Sequence, residues 1–209
     1  MRLFVALAVP ATALAEVASM VERAREIVGE QPDLDPGRVR WIPRERMHVT
    51  LAFLGEVPAR RVEPLSIRLA RAAAQAQPLR LRVGGAGRFG DRVLYARMRG
   101  DLPALSRLAQ SVSAAALHSG LEVSARPFEP HITLARSRAA DFGGLLSALA
   151  DHEGSWWVGQ SIELVSSRLA PRPRHETVQS WLLGSQGAAG GAQGAAGGAQ
   201  GAAGGAQGG

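Results

Sequence analysis

The chain has 209 residues and a formal net charge of +6, and all 24 of its basic residues are arginines, because the sequence contains neither lysine nor cysteine. Without lysine there can be no Walker phosphate loop, no Schiff base and no lysyl-nucleotide intermediate of the kind that ATP-driven ligases form. Without cysteine there are no disulfides, thiol nucleophiles or thiolate metal sites. The exclusive use of arginine fits either a biased genome composition or a surface that binds nucleic acid, since guanidinium suits phosphates and stacked bases.

The first segment is compatible with two different structures. Residues 1–15 carry one arginine, an apolar run and an Ala-Leu-Ala sequence, which imitates a short secretory signal. We favour a core strand over residues 2–8 that leads into a helix with Pro10 near its first turn. No run reaches the roughly 18 apolar residues of a membrane span, so we expect a cytoplasmic protein with no membrane partner. An apolar helical stripe continues through the supposed cleavage site, at Leu14, Val17, Val21, Ala24 and Val28.

The next segments alternate between extended and helical patterns. Residues 31–37 are rich in Pro, Asp and Gly and predict a loop, and residues 38–42 predict a short extended segment. Residues 47–54 are apolar and β-branched, as in a strand, and a Gly and a Pro follow them. An amphipathic pattern then predicts a helix over residues 59–75.

The middle of the chain predicts a hairpin and a helix. Strands over residues 79–83 and 92–98 are joined by a glycine-rich turn at residues 84–90. Residues 101–118 keep a helical apolar spacing, and Asp101 is the expected N-cap.

The last third repeats this order of elements. Residues 122–128 lead into a strand over residues 131–136, and a short helix follows at residues 141–151. Two final strands are predicted over residues 158–169 and 177–183. The chain thus contains two similar halves, each with a motif strand followed by a helix and further strands, which favours a duplicated α+β protein with antiparallel sheets.

The C-terminal segment differs from the rest in composition. Residues 185–209 are almost entirely Gly, Ala and Gln, with glutamine recurring every seven residues. The segment has no charged, aromatic or branched apolar residue, so it cannot bury enough surface to offset its ordering entropy. We predict a disordered tail rather than a helix, since Gly at this density costs about 1 kcal/mol per residue in a helix. Residues 1–184 then form the folded domain.

One tetrapeptide pattern occurs twice, as His48-Val49-Thr50-Leu51 and as residues 131–134, which read His-Ile-Thr-Leu. Chance would give about 0.1 His-x-Thr triplets in a chain with five His and four Thr. Positions i and i+2 of a strand share a face, so each histidine and its threonine point the same way. Two such strands would offer a neutral imidazole as base, a protonated one as acid, and hydroxyl donors for an anion.

Taken residue by residue, His48 and His131 are candidate catalysts for opening a cyclic phosphodiester without a metal. Thr50 and Thr133 would donate hydrogen bonds to the non-bridging oxygens, and Arg136 would add a fixed positive charge. The alternatives are a hydrogen-bonded core histidine in each strand or a zinc site. The zinc site is disfavoured because neither motif has acidic or thiol ligands or the His-x-x-x-His spacing.

At these residues the sequence resembles the 2H phosphoesterases and, within them, the RNA 2',3'-cyclic phosphodiesterases, also called 2'-5' RNA ligase-like proteins. The likeness covers most of residues 1–183 and is carried by residues 1–6, 41–55 and 127–136. It implies a bilobal fold of two pseudo-twofold-related antiparallel sheets with outer helices and a central groove. It also implies hydrolysis of an RNA-terminal 2',3'-cyclic phosphate to a 2'-phosphate, with weak, reversible 2'-5' joining of tRNA halves.

The resemblance implies that His48 protonates the leaving 3'-oxygen and that His131 activates water, although the near symmetry of the site leaves these labels exchangeable. Thr50, Thr133 and Arg136 match the phosphate-binding positions. No metal and no cofactor are expected. The partners are RNA ends with a 2',3'-cyclic phosphate, including tRNA halves, or small cyclic nucleotides, and a monomer is expected.

The sequence departs from the family pattern at two places that bear on base stacking. Residues 174–176 read Arg-His-Glu where relatives commonly place an aromatic residue. Tyr95 stands where tryptophan is frequent and keeps a ring, so Tyr95 and Phe53 are the expected stacking side chains. A protein of a different class, a non-catalytic module that binds RNA ends through its arginines, is the alternative, and turnover of a cyclic phosphate separates the two.

Overall fold

The computed structural model describes residues 1–30, 39–124, 126–137, 142–168 and 174–185. The predicted loop at residues 31–37 lies outside the described residues, as does the predicted tail at 185–209 apart from its first residue. The described helices are α1 (Ala11–Glu30), α2 (Ala59–Gln75), α3 (Leu102–His118) and α4 (Gly143–Ala148), with a 3-10 turn at Arg44–Arg46. The strands are β1 (Arg2–Leu7), β2 (Val39–Trp41), β3 (Val49–Glu56), β4 (Leu79–Phe89), β5 (Val93–Gly100), β6 (His131–Ser137), β7 (Trp157–Gly159), β8 (Ser161–Arg168) and β9 (Arg174–Leu182).

The strands form one antiparallel path in the order β7-β4-β5-β6-β3-β1-β8-β9, with β2 paired to β6. Each half of this path contributes four strands, and the halves meet at the two motif strands, β3 and β6. A single residue pair, Val49 with Ile132, joins them. The predicted α+β architecture with two related antiparallel halves is therefore confirmed, and the two motifs lie at its centre.

The sheet is curled, which follows from the pairing of two neighbouring strands. β7 pairs with β4 at one end of the path, whereas β8, one residue later in the chain, pairs with β1 and β9 near the other end. The predicted single strand over residues 158–169 is therefore wrong. It is two strands separated at Gln160, because one straight segment cannot pair at both ends of the path.

The strand prediction for the N-terminus is confirmed. β1 lies between β3 and β8, and alternate residues face the main core at Leu3, Val5 and Leu7. The stripe of α1 covers the same core, with Val17, Ala24 and other members buried. Among the described helices, none is long and apolar enough to cross a bilayer.

One local prediction is wrong. The glycine-rich segment at residues 84–90 is not a turn: β4 runs on to Phe89, and the turn occupies residues 90–92. Asp101 is the N-cap residue of α3, as predicted, but its side chain makes no capping hydrogen bond. Its carboxylate accepts a hydrogen bond from the Arg80 backbone N–H at 2.8 Å instead, because β4 lies beside the start of the helix.

Candidate active site

The two motifs lie side by side on adjacent strands. β3 and β6 are antiparallel and pair at Val49 and Ile132. Counting one residue in each direction from this pair sets His48 opposite Thr133 and Thr50 opposite His131. Paired residues, and residues two apart on a strand, share a face of the sheet. The geometry therefore collects both imidazoles and both hydroxyls on one face, around a local twofold axis.

The fourth residue of each motif, Leu51 or Leu134, is the extra residue of a β-bulge. In the pairing of β3 with β1, Thr50 and Ala52 meet consecutive residues, so Leu51 is the extra residue; in that of β6 with β5, Leu134 is the extra residue. Both leucines are buried in the core. A bulge shifts the alternation of side chains by one position. The residue three places after each threonine therefore returns to the site face.

Those two returning residues differ in chemistry. After Thr50 the returning residue is Phe53, which is 58% exposed. After Thr133 it is Arg136, which is also exposed. Strict alternation would have placed Arg136 on the core side with Ile132, so the bulge is what allows its guanidinium to face the groove. The site thus has a ring at one end of the motif pair and a cation at the equivalent position of the other.

The histidines are held in the same way in both halves. Nδ1 of His48 lies 2.7 Å from the carbonyl oxygen of Arg46, and Nδ1 of His131 lies 2.6 Å from that of Glu129. A carbonyl only accepts hydrogen bonds, so each Nδ1 carries the proton and donates it. In the neutral ring Nε2 is then unprotonated and free to accept a proton, and in the charged ring Nε2 is the atom that can give one up.

Burial favours the neutral form of both catalytic candidates. The pKa of His48 is lowered to about 4, mainly by desolvation and also by the nearby His175 and His131, while the hydrogen bond to the Arg46 carbonyl acts in the opposite direction. Desolvation also lowers the pKa of His131, whereas the carbonyl and the carboxylate of Glu129 raise it. The pair therefore exchanges protons below the ordinary imidazole range.

Aromatic side chains surround His48. Its ring stacks on Phe4 with a centroid separation of 4.5 Å, and His175 of β9 meets both rings edge-on, at 5.2 Å from His48 and 5.0 Å from Phe4. His175 therefore occupies the place at which the sequence departs from the family's aromatic residue. The sequence analysis did not assign a site role to His175 or Phe4, although the Arg-His-Glu departure pointed to this edge of the groove.

His131 is bordered by two other rings. Phe89 lies edge-on at 4.9 Å and Tyr95 at 5.2 Å, and the two stack on each other at 4.3 Å. Tyr95 is only 5% exposed, whereas Phe89 is 39% exposed. The expectation that Tyr95 stacks on a base therefore does not fit its burial, and Phe89 is the accessible ring on this side. The sequence missed Phe89 because the residue falls in the segment predicted as a turn.

The Tyr95 ring lies directly over Gly87, and we predict that Gly87→Ala disturbs the site. An added Cβ would come within 2.4 Å of the ring's Cζ, so Tyr95 must move, and His131 packs against it. We expect a loss of about 1–3 kcal/mol in the free energy of unfolding, as for overpacking, together with a lower kcat. Chemical denaturation measures the first effect, and Gly29→Ala, which meets no atom within 4 Å, is the control. Unchanged stability and kcat would contradict the packing described here.

We also predict that His175→Phe raises the pKa of His48 above its value of about 4. The substitution removes a positive charge and keeps a ring in place, so the burial that sets most of the shift persists and the pKa stays below 6.5. Titration of the histidine resonances by NMR measures the change. His118→Phe, on the exposed end of α3, is the control. A fall or no change in the His48 pKa would show that His175 exerts no charge on it.

A cavity of about 200 Å³ opens beside His48, on the side of β3 away from β6. Within the described ranges, no three His, Asp or Glu side chains form a group that could hold a metal ion. Neither threonine hydroxyl of the motifs has a hydrogen-bond partner among the described residues, so both are free to bind an anion.

Comparisons with known proteins agree with this geometry. The family model of the 2'-5' RNA ligase superfamily matches residues 9–168. An RNA 2',3'-cyclic phosphodiesterase of Geobacillus stearothermophilus is 34% identical over 151 residues, covering 69% of this chain and 48% of that protein. The chain thus spans about half the length of that relative. One from Thermus thermophilus is 33% identical over 152 residues, covering 66% and 70%. A crystal structure of Escherichia coli LigT complexed with 3'-AMP matches with a TM-score of 0.67 and 28% identity, over 87% of this chain and 97% of that one.

Proposed function

The chain belongs to the 2'-5' RNA ligase superfamily, as its motifs predicted, and from that premise and the site geometry we propose that it hydrolyses RNA-terminal 2',3'-cyclic phosphates to 2'-phosphates. The observation that carries the proposal is the adjacency of the two motifs at Val49 and Ile132, which brings two imidazoles and two hydroxyls to one face. A single phosphate between the motifs would meet an acid, a base and two donors. The names of the two relatives support the substrate class.

In this mechanism the oxygen of a water molecule attacks phosphorus while the bond from phosphorus to the 3'-oxygen breaks. His131, the more exposed of the pair, accepts a proton from the water at Nε2. His48 donates a proton from Nε2 to the departing 3'-oxygen, since the cavity that would receive the base of the leaving side lies next to it. The product is a 2'-phosphate with a free 3'-hydroxyl, and the two imidazoles have exchanged protonation states.

The remaining groups stabilise charge and do not exchange protons. Thr50 and Thr133 donate hydrogen bonds to the two non-bridging oxygens, where negative charge accumulates as water attacks. The guanidinium of Arg136 supplies a fixed positive charge on the same face. Both roles require a fixed backbone, which the paired strands provide.

We predict a bell-shaped pH profile for kcat/KM with its maximum below pH 6.5. At low pH both imidazoles are charged and no base remains; at high pH both are neutral and no acid remains. The active form holds one proton on the pair, so activity is greatest between the two apparent pKa values, which are both lowered. The lower of the pair's two apparent pKa values sets the acidic limb, and we expect it near 4, the value to which burial lowers His48; the active fraction is the singly protonated pair that carries its proton on His48. An alkaline limb above pH 7 would contradict this, since it would require a raised pKa.

The decisive test is turnover of a defined oligonucleotide that ends in a 2',3'-cyclic phosphate, with and without EDTA. The proposal expects conversion to the 2'-phosphate at a rate that EDTA does not change, because histidines carry both proton transfers. Binding without turnover would identify instead a module that only holds RNA ends. A 3'-phosphate product would show that the 2'-oxygen leaves.

Joining of RNA ends would use the same displacement at phosphorus with a different nucleophile. A 5'-hydroxyl of a second RNA in place of water would attack the cyclic phosphate and form a 2'-5' bond, with no nucleotide cofactor. The chain has no lysine to form an adenylate, and water competes at high concentration. We therefore propose ligation only as a weak side activity, measurable with paired tRNA halves.

A further inference from the structure

The apolar base of the cavity beside His48 is formed by side chains on the face of the sheet that carries the two motifs, and not by the main core. Phe4, Ala6 and Val165 form a small apolar cluster of their own, and they line this cavity together with His48 and His175. Its volume of about 200 Å³ falls below the range of about 300–1,000 Å³ that is usual for drug-sized ligands. The space suits one planar ring system rather than a whole nucleotide.

A carboxylate lies on the same row of the sheet as the phosphate-binding motif. Ala6 pairs with Thr50 on one side and with Glu163 on the other. The three side chains share a face, and two strand spacings of about 4.8 Å place the Thr50 and Glu163 Cα atoms about 10 Å apart. On this row of the described sheet, Ala6 is the residue that lies between them. The row therefore offers a phosphate site and a carboxylate separated by roughly the span of one nucleoside.

Glu163 retains acceptor capacity toward the cavity. The hydroxyl of Thr177 donates a hydrogen bond to its Oε2 at 3.3 Å, and no other partner of the carboxylate is found among the described residues. A carboxylate only accepts hydrogen bonds when ionised. It also repels phosphate, as does the second carboxylate that lines the cavity, Glu45. The occupant of this end is therefore a neutral group with N–H donors, and not a further phosphate.

We propose that this cavity binds the base of the terminal nucleotide and that Glu163 makes it select guanine; the inference rests on the proposed cyclic phosphodiesterase function. Guanine presents two adjacent donors, the N1–H and the N2 amino group, which match the two oxygens of a carboxylate. Adenine and cytosine each offer one amino group beside a ring acceptor. Uracil offers one N–H between two carbonyls, which the carboxylate repels. The order of preference is guanine first and uracil last.

The test compares kcat/KM for the four nucleoside 2',3'-cyclic monophosphates in the full chain and in Glu163→Gln. The expected result is a preference for the guanosine compound over the uridine compound of roughly ten-fold or more, on the scale of a bidentate base contact. Glu163→Gln loses that preference: kcat/KM falls for the guanosine compound and rises for the uridine compound, because the charge that repels the uracil carbonyls is gone. Equal rates on all four bases in the full chain, or a preference that survives Glu163→Gln, would overturn the proposal.

Two further arms separate this inference from its premise. Glu176→Gln is the matched control. Glu176 lies on β9 next to Thr177, so its side chain is on the opposite face of the sheet, and its substitution should leave the base preference unchanged. Calorimetric binding of guanosine 2'-monophosphate against uridine 2'-monophosphate needs no turnover. Selective binding that depends on Glu163, without hydrolysis of any cyclic phosphate, would uphold the base site and reject the enzyme. Turnover with no base selectivity in either measurement would uphold the enzyme and reject the base site.

Discussion

His48→Ala and His131→Ala each lower kcat for a 2',3'-cyclic phosphate by roughly 10²–10⁴-fold, the usual contribution of one positioned acid or base. Each substitution removes the Nε2 that the mechanism uses on its side of the phosphorus, and the partner histidine cannot serve as both acid and base in one step. Since the two act as a unit, the double variant loses little more than the worse single variant. Single-turnover rates on a cyclic-phosphate oligonucleotide measure the loss.

The control for this prediction is His118→Ala. His118 hydrogen-bonds to a carbonyl of its own helix on an exposed surface, so its removal should not alter kcat. Because His48 packs on Phe4, thermal unfolding of each variant is needed to show that it remains folded at the assay temperature. Full activity in a folded double variant would reject the two-histidine mechanism.

Thr50→Val and Thr133→Val are expected to lower kcat by roughly 10²–10³-fold each, on the scale of one lost donor to a developing oxyanion. Valine keeps the branched shape of threonine and removes only the hydroxyl. Since neither hydroxyl has a hydrogen-bond partner among the described residues, the free energy of unfolding should hardly change. Steady-state kinetics with chemical denaturation on the same samples measures both effects.

Thr50→Ser and Thr133→Ser restore the donor and should recover most of the activity, which a purely structural role for the methyl group would not allow. Thr12→Val, at an exposed position of α1, is the inert control. If the valine variants keep their kcat and lose only stability, the threonines are packing residues and the phosphate must be held elsewhere.

The motif strands were predictable from sequence. A repeated His-x-Thr among β-branched residues indicates a strand, and the i, i+2 spacing places the histidine and the threonine on the same face of that strand. That the two motifs meet was expected from the duplicated order of elements and from the resemblance. Their direct pairing as neighbouring strands was not, since pairing between distant strands depends on the whole sheet. The bulges were also invisible: Leu51 and Leu134 look like ordinary core positions, and only the pairing with β1 and β5 identifies each as the extra residue. Strict alternation would have pointed Arg136 into the core.

The errors elsewhere have a common physical cause, which is that tertiary contacts override local preference. Glycine at residue 87 predicted a turn, but the structure uses the missing side chain to make room for the Tyr95 ring. Asp101 is the N-cap residue as predicted, but its carboxylate accepts a hydrogen bond from a strand N–H rather than from the helix. In both cases the contacting residue, Tyr95 or Arg80, is brought close by a neighbouring strand and not by the local sequence.

A perfectly twofold site would bind a ligand equally well in two orientations, and half of the bound molecules would present the wrong oxygen to each imidazole. The ring of Phe53 and the guanidinium of Arg136, at equivalent positions after the two bulges, remove that degeneracy. The end of the groove at Phe53 binds an apolar group more favourably, and the end at Arg136 binds an anion more favourably. The two orientations of the ligand therefore differ in energy. A duplicated scaffold thereby acquires a direction from side chains that do not match at equivalent positions.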